Sequence, residues 1–168
     1  MMHLQISLMA LVTDCILMIR LSRTCLPLGI NSFSLFYREL WLKFLTWTKE
    51  DNYLLAAGSP PGKDTDISDL GIVQGHAYSI LDICDVDGVK LIQLRNPWGN
   101  KKEWKGPWSD NSNEWTERSR MIVYRRMEMR GLEANKIGEN DGIFWMTLED
   151  FMVNFNTLYV CQVFNETY

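Results

Sequence analysis

The hydrophobic pattern is sharpest between Gly71 and Trp98, where two arms rich in apolar and β-branched residues flank the polar stretch Asp85-Val86-Asp87-Gly88. An Asp-Gly step between two such arms predicts a β-hairpin. If its loop is two to four residues long and centred on Asp87-Gly88, antiparallel pairing sets His76 opposite Pro97, Trp98 or Gly99, just past Asn96. Earlier, Phe33, Phe36, Leu40, Trp41, Phe44, Leu45 and Trp47 recur at helical spacing, which predicts an amphipathic helix from Phe33 to Thr48 packed on a core. Asn52–Ala57 reads as a short strand, stopped by Gly58-Ser59-Pro60-Pro61-Gly62. Arg118 to Lys136 reads as a solvated basic helix face with buried methionines. Gly142–Met146 reads as a strand, Thr147 as the N-cap of a helix running to about Phe155, and Leu158–Phe164 as a last strand.

Composition narrows the function classes. With 168 residues, 46% hydrophobic and 23% charged, the chain suits one globular domain. Seventeen basic against twenty-one acidic residues leave a net charge of −4, which speaks against nucleic acid or an anionic membrane as partner. Cys15, Cys25, Cys84 and Cys161 form no CxxC pair and no metal-ligand spacing, so a reduced, cytoplasmic setting is expected rather than a disulfide framework or zinc site. Leu4 to Leu21 is apolar enough to raise a signal peptide or membrane helix. Asp14 in its middle and the lack of Lys or Arg ahead of it favour a buried helix or a leader instead. Residues 1–32 are therefore set apart as a leader, and 33–168 as the folded core. No GxxxxGK[ST] or GxGxxG follows a strand, which removes a nucleotide site.

The hairpin ends carry the chemistry. A cysteine protease needs an imidazole to pair with the attacking thiolate and then protonate the leaving amine, and a side-chain oxygen on the other ring nitrogen to fix its tautomer. His76 and Asn96 can supply these groups, and Trp98 can shield the bond between them from water. Taken singly, the histidine also suits a structural role, and Asn96-Pro97-Trp98-Gly99 a tight turn.

Gly75-His76-Ala77-Tyr78-Ser79 followed by Arg95-Asn96-Pro97-Trp98-Gly99 resembles the His and Asn boxes of the calpain family of papain-like cysteine proteases. The resemblance runs on through Glu103-Trp104, Trp108-Ser109-Asp110 and Asp141-Gly142-Ile143-Phe144-Trp145-Met146, and covers roughly residues 40 to 165. It implies an α+β fold, a mainly antiparallel sheet with flanking helices, forming the His/Asn half of the protease core. It also implies that His76 is the general acid/base, Asn96 its orienting partner and Trp98 the shield. Calcium is implied too, at Glu103, Asp110 and Asp141, although Ile143 stands where the family often has a Glu ligand and solvated surface acids are the alternative.

The family's nucleophile lies in a preceding helical subdomain, inside an Asp-Cys-Trp type box. Thr13-Asp14-Cys15 echoes only its Asp-Cys step, and too close to His76 to hold a subdomain. The chain is thus expected to be half of a calcium-dependent endopeptidase acting on proteins or peptides, inactive without a Cys-bearing half, and without the family's additional domains such as an EF-hand module. The rivals are a non-catalytic calpain-like binding or regulatory module, and a membrane-anchored regulator held by residues 4–21.

Overall fold

The computed structural model describes residues 16–21, 30–50, 52–99, 102–131, 137 and 141–163. These form strands β1 (Ile16–Arg20), β2 (Tyr53–Gly58), β3 (Ala77–Val86), β4 (Val89–Arg95), β5 (Ile143–Thr147) and β6 (Thr157–Gln162), with helices α1 (Ile30–Lys49), α2 (Glu117–Met129) and α3 (Leu148–Asn154). All six strands pair antiparallel in one sheet, in the order β1-β6-β2-β3-β4-β5. The α+β architecture expected from the family resemblance is the one observed.

One face of the sheet carries α1 and α3. Leu40, Trp41, Phe44 and Trp47 bury one stripe of α1 against Ile80, Ile92, Phe144 and Phe151. Phe44 meets the rings of Trp47 and Phe151 edge-on, and full burial of such a side chain contributes about 1.5–3 kcal/mol. Leu45, expected on the stripe, is instead exposed, because the helix turns it away from the sheet. On the opposite face α2 lays Val123 and Met127 on Cys84, Val86, Leu91 and Trp145. Of the methionines expected to be buried in this segment, Met127 is, whereas Met121 and Met129 face solvent.

The β3–β4 hairpin closes through the two-residue turn Asp87-Gly88, whose φ angles of 51° and 93° match the left-handed geometry of a tight hairpin turn. Its register shifts by one between Ile80 and Asp82, so that Leu81 is a bulge without a partner. That extra residue reverses which side chains face which layer. Tyr78 and Ile80 point to the α1 side before it, and Asp82, Cys84 and Val86 to the α2 side after it.

Part of residues 1–32, set apart from the core as a leader, joins the sheet. Ile16–Arg20 is a strand, paired with β6 from Ile16 opposite Cys161 to Arg20 opposite Thr157, and Ile19 and Leu21 lie in the main core. The physical reason is a non-local partner: β6 offers this apolar run a strand edge. Asp14, Cys15 and Cys25 lie outside the described residues. No helix among the described residues is long and apolar enough to cross a membrane.

Candidate active site

His76 is the last residue before β3 and Asn96 the first after β4. The bulge therefore decides how they meet. Ser79 pairs with Arg95, and continuing that register sets His76 across from Trp98, one of the three positions expected. Asn96 is wholly buried, and every polar group it carries is engaged. Its N–H donates to the Gly142 carbonyl at 2.8 Å, and its carbonyl accepts from Gly99 at 3.0 Å. Its side-chain amide donates to the Lys102 carbonyl at 3.1 Å, and its Oδ1 accepts from the Trp98 N–H at 3.1 Å. Those two contacts fix which end of the amide is oxygen. Oδ1 lies 3.1 Å from His76 Nε2, and since Oδ1 can only accept, Nε2 must carry the proton. The Nδ1 lone pair is left over, and among the described residues nothing bonds to it.

Aromatic rings hold the imidazole on two sides. The Trp98 indole lies 4.3 Å from it at a 46° tilt, and Tyr78 meets it edge-on at 5.2 Å. Trp98 itself remains 40% exposed. The ammonium of Lys102 lies 5.4 Å from the Trp98 ring centroid. Gly142 ties the site to β5. With φ of +86°, and with a would-be Cβ 2.9 Å from the Asn96 carbonyl oxygen, the position excludes larger residues. A cleft of about 760 Å³ opens beside His76, lined in part by Gly58, Gly75, Ala77, Thr157 and Tyr159.

Neither described cysteine serves this imidazole. Cys84 is buried beneath α2, and burial pushes its thiol up to about 11, the reverse of what a nucleophile requires. Cys161 sits beside Leu54, four residues along β2 from Gly58, which pairs with Ala77. At the rise of a strand that is roughly 13 Å along the sheet.

The acids expected to bind calcium are only partly gathered. Glu103 accepts from the Gly142 N–H at 2.6 Å and lies against Asp141, whose own Oδ1 accepts from the Ile143 N–H at 2.9 Å. Asp110 is buried in the loop between Trp104 and Trp115, two indoles that pin this loop to opposite faces of the sheet. Among the described residues no three His, Cys, Asp or Glu side chains converge as a metal-binding group. Backbone N–H groups take one oxygen each of Glu103 and Asp141, and the carboxylates of the three acids do not meet as one cluster among the described residues.

Burial, reinforced by the Asp141 charge and opposed by the Gly142 N–H, raises the Glu103 carboxyl above its ordinary value. A raised folded-state value means that the fold holds the neutral form better. The group's contribution to stability is then full at acid pH and is lost as pH rises through the raised value. Glu103→Gln keeps an oxygen for the Gly142 N–H and removes the charge. It should raise Tm at pH 7 by roughly 1–2 °C, a small gain because water screens a partly exposed carboxylate. Thermal melts from pH 4 to 7 should show the difference vanish at the acid end.

Residues 29–162 match the family described as calpain family cysteine protease. Over 126 residues, 75% of this chain, the sequence is 49% identical to calpain-type cysteine protease ADL1 of Oryza sativa subsp. japonica and to calpain-type cysteine protease DEK1 of Zea mays. It is 39% identical over 122 residues to the calpain-1 catalytic subunit of Rattus norvegicus. The chain spans about 5% of the length of the two plant proteins and 16% of the rat one. The family match covers most of the chain, and the α+β fold is the one expected of that class. The chain belongs to the calpain family.

Proposed function

We propose that this chain is the His/Asn half of a calpain-type cysteine endopeptidase core acting on protein or peptide substrates, with the nucleophile supplied by a Cys-bearing half. The single observation that carries the reading is the His76 Nε2–Asn96 Oδ1 hydrogen bond, which leaves Nδ1 free to serve a thiol. In this reading Nδ1 takes the proton from the cysteine Sγ–H, and the thiolate attacks the scissile carbonyl carbon. The proton then passes from Nδ1 to the leaving amine as the C–N bond breaks. Water next gives Nδ1 a proton while its oxygen displaces Sγ, which frees the carboxyl product. Asn96 stays neutral throughout, as suits an imidazolium already balanced by a thiolate.

Calcium responsiveness is supported only by the pairing of Glu103 with Asp141, so no step is assigned to the ion. Free thiols at Cys84 and Cys161 agree with a reducing, cytoplasmic setting. The test is a fluorogenic peptide assay, with and without calcium, of the chain alone and of the chain mixed with a Cys-bearing calpain half. Turnover is expected only in the mixture. An inert mixture in which the two halves demonstrably bind would overturn the assignment. The distance of both described thiols from His76 also favours a second reading, a non-catalytic calpain-like binding or regulatory module. Partner binding that is tight and untouched by His76→Ala, without turnover, would select it.

A further inference from the structure

The backbone of His76 is held in an unusual way. In an antiparallel ladder, residues that face each other as a hydrogen-bonded pair exchange two N–H···O=C bonds. The β2–β3 ladder ends with Gly58 opposite Ala77, and the next pair is Ser59 with His76. The Ser59 N–H donates to the His76 carbonyl at 3.0 Å, as the ladder requires. The return bond is replaced: the His76 N–H donates to the Ser59 hydroxyl oxygen at 2.9 Å, and that hydroxyl donates back to the His76 carbonyl, at 3.1 Å. One buried hydroxyl thereby takes both polar backbone groups of His76.

The substitution follows from how the chain leaves the sheet. Beyond Ser59 and before His76 the chain makes an excursion through residues 60–75, folded on itself by the Gly75 N–H to the Pro60 carbonyl at 2.7 Å and the Gln74 N–H to the Asp66 carbonyl at 2.8 Å. Gly75, with φ of +62°, turns the backbone out of strand geometry immediately before His76. Ser59 and His76 form the neck of this excursion. Beyond it the sheet no longer fixes the histidine, because β4 has already ended at Arg95.

We propose that Ser59 is a positioning residue: its hydroxyl clamps the backbone of His76 so that the imidazole is delivered to Asn96 Oδ1 with Nδ1 clear. The proposal rests on the reading of His76 as the proton carrier. It concerns ring placement, which can be measured without turnover. Only a side chain that donates and accepts at this point can act, so threonine should substitute and alanine should not.

The test is ¹⁵N NMR of the full chain carrying Ser59, Ser59→Ala or Ser59→Thr, reading the His76 ring nitrogens and amide hydrogen exchange. In Ser59→Ala the ring signals should move from a single Nε2–H tautomer toward a mixture. Exchange at the His76 amide should quicken about tenfold or more, with the amides of Leu94 and Val160 unchanged. Ser59→Thr should restore both. Unchanged ring signals in Ser59→Ala, or loss of protection throughout the sheet, or failure of threonine to rescue, would each overturn the proposal. If the mixed halves show no turnover while the ring signals still respond to Ser59→Ala, the protease reading fails and the clamp stands.

Discussion

His76→Ala is expected to lower turnover by the reconstituted halves about 10²–10⁴-fold, the range contributed by a positioned acid–base group, with little change in melting temperature. The imidazole is partly exposed and, among the described residues, its one side-chain hydrogen bond is to Asn96, so its removal opens no deep cavity. Asn96→Ala should differ in kind. It strands the Trp98 N–H and the Lys102 carbonyl, both partners of a wholly buried amide, as well as freeing the imidazole to adopt the other tautomer. An unsatisfied buried polar group costs about 1–3 kcal/mol, so Asn96→Ala should lose stability as well as activity. Peptide turnover with thermal melts separates the two variants. Equal activity of His76→Ala and wild type would remove His76 from the chemistry.

The second large effect lies away from the site. Asp82 is fully buried, and it accepts two bonds from Arg126, at 3.1 and 3.2 Å, and one from Arg130 at 2.5 Å. Both arginines occupy the end of α2, where cations also favour the helix dipole. Asp82→Ala leaves two guanidinium groups with no carboxylate. Breaking a buried ion pair by removing one partner costs about 3–5 kcal/mol. The guanidinium groups remain about 30% exposed and can turn to water, which places the expected loss near the lower end. That corresponds to a fall in Tm of about 6–12 °C for a domain of this size. Adding Arg126→Met and Arg130→Leu to Asp82→Leu should recover much of it, since an apolar cluster of similar volume replaces a buried ion pair at little cost. A thermal melt of the single and triple variants measures both.

Some of this organisation was open to a reader of the sequence, and the reasons are local. The Asp87-Gly88 turn, the helical stripe through Leu40, Trp41 and Phe44, and the Thr147 cap are each written within a few residues, and each element formed where it was expected. Thr147 accepts from the Asp150 N–H at 3.0 Å, as its spacing predicts. Long-range features left no such trace. Ile16–Arg20 becomes a strand only because β6, far along the chain, offers it an edge. Asp82 carries no sign of two arginine partners more than forty residues away. Ser59 sits in a Gly-Ser-Pro stop signal that says nothing of a histidine clamp.

The sequence by itself determined that a hairpin would bring His76 opposite the residues just past Asn96, because turn chemistry and β patterning act between neighbours. The tertiary structure decided the rest of that meeting. Unbroken, the register at the hairpin tip, Val86 with Val89, would carry His76 across from Gly99; the bulge at Leu81 brings it to Trp98 and turns Asp82 toward α2. No local preference selects a bulge in so continuous an apolar run. It is stabilised by what it satisfies on both faces, the core under α1 and the ion pairs under α2, and those partners exist only once the sheet and its helices have assembled.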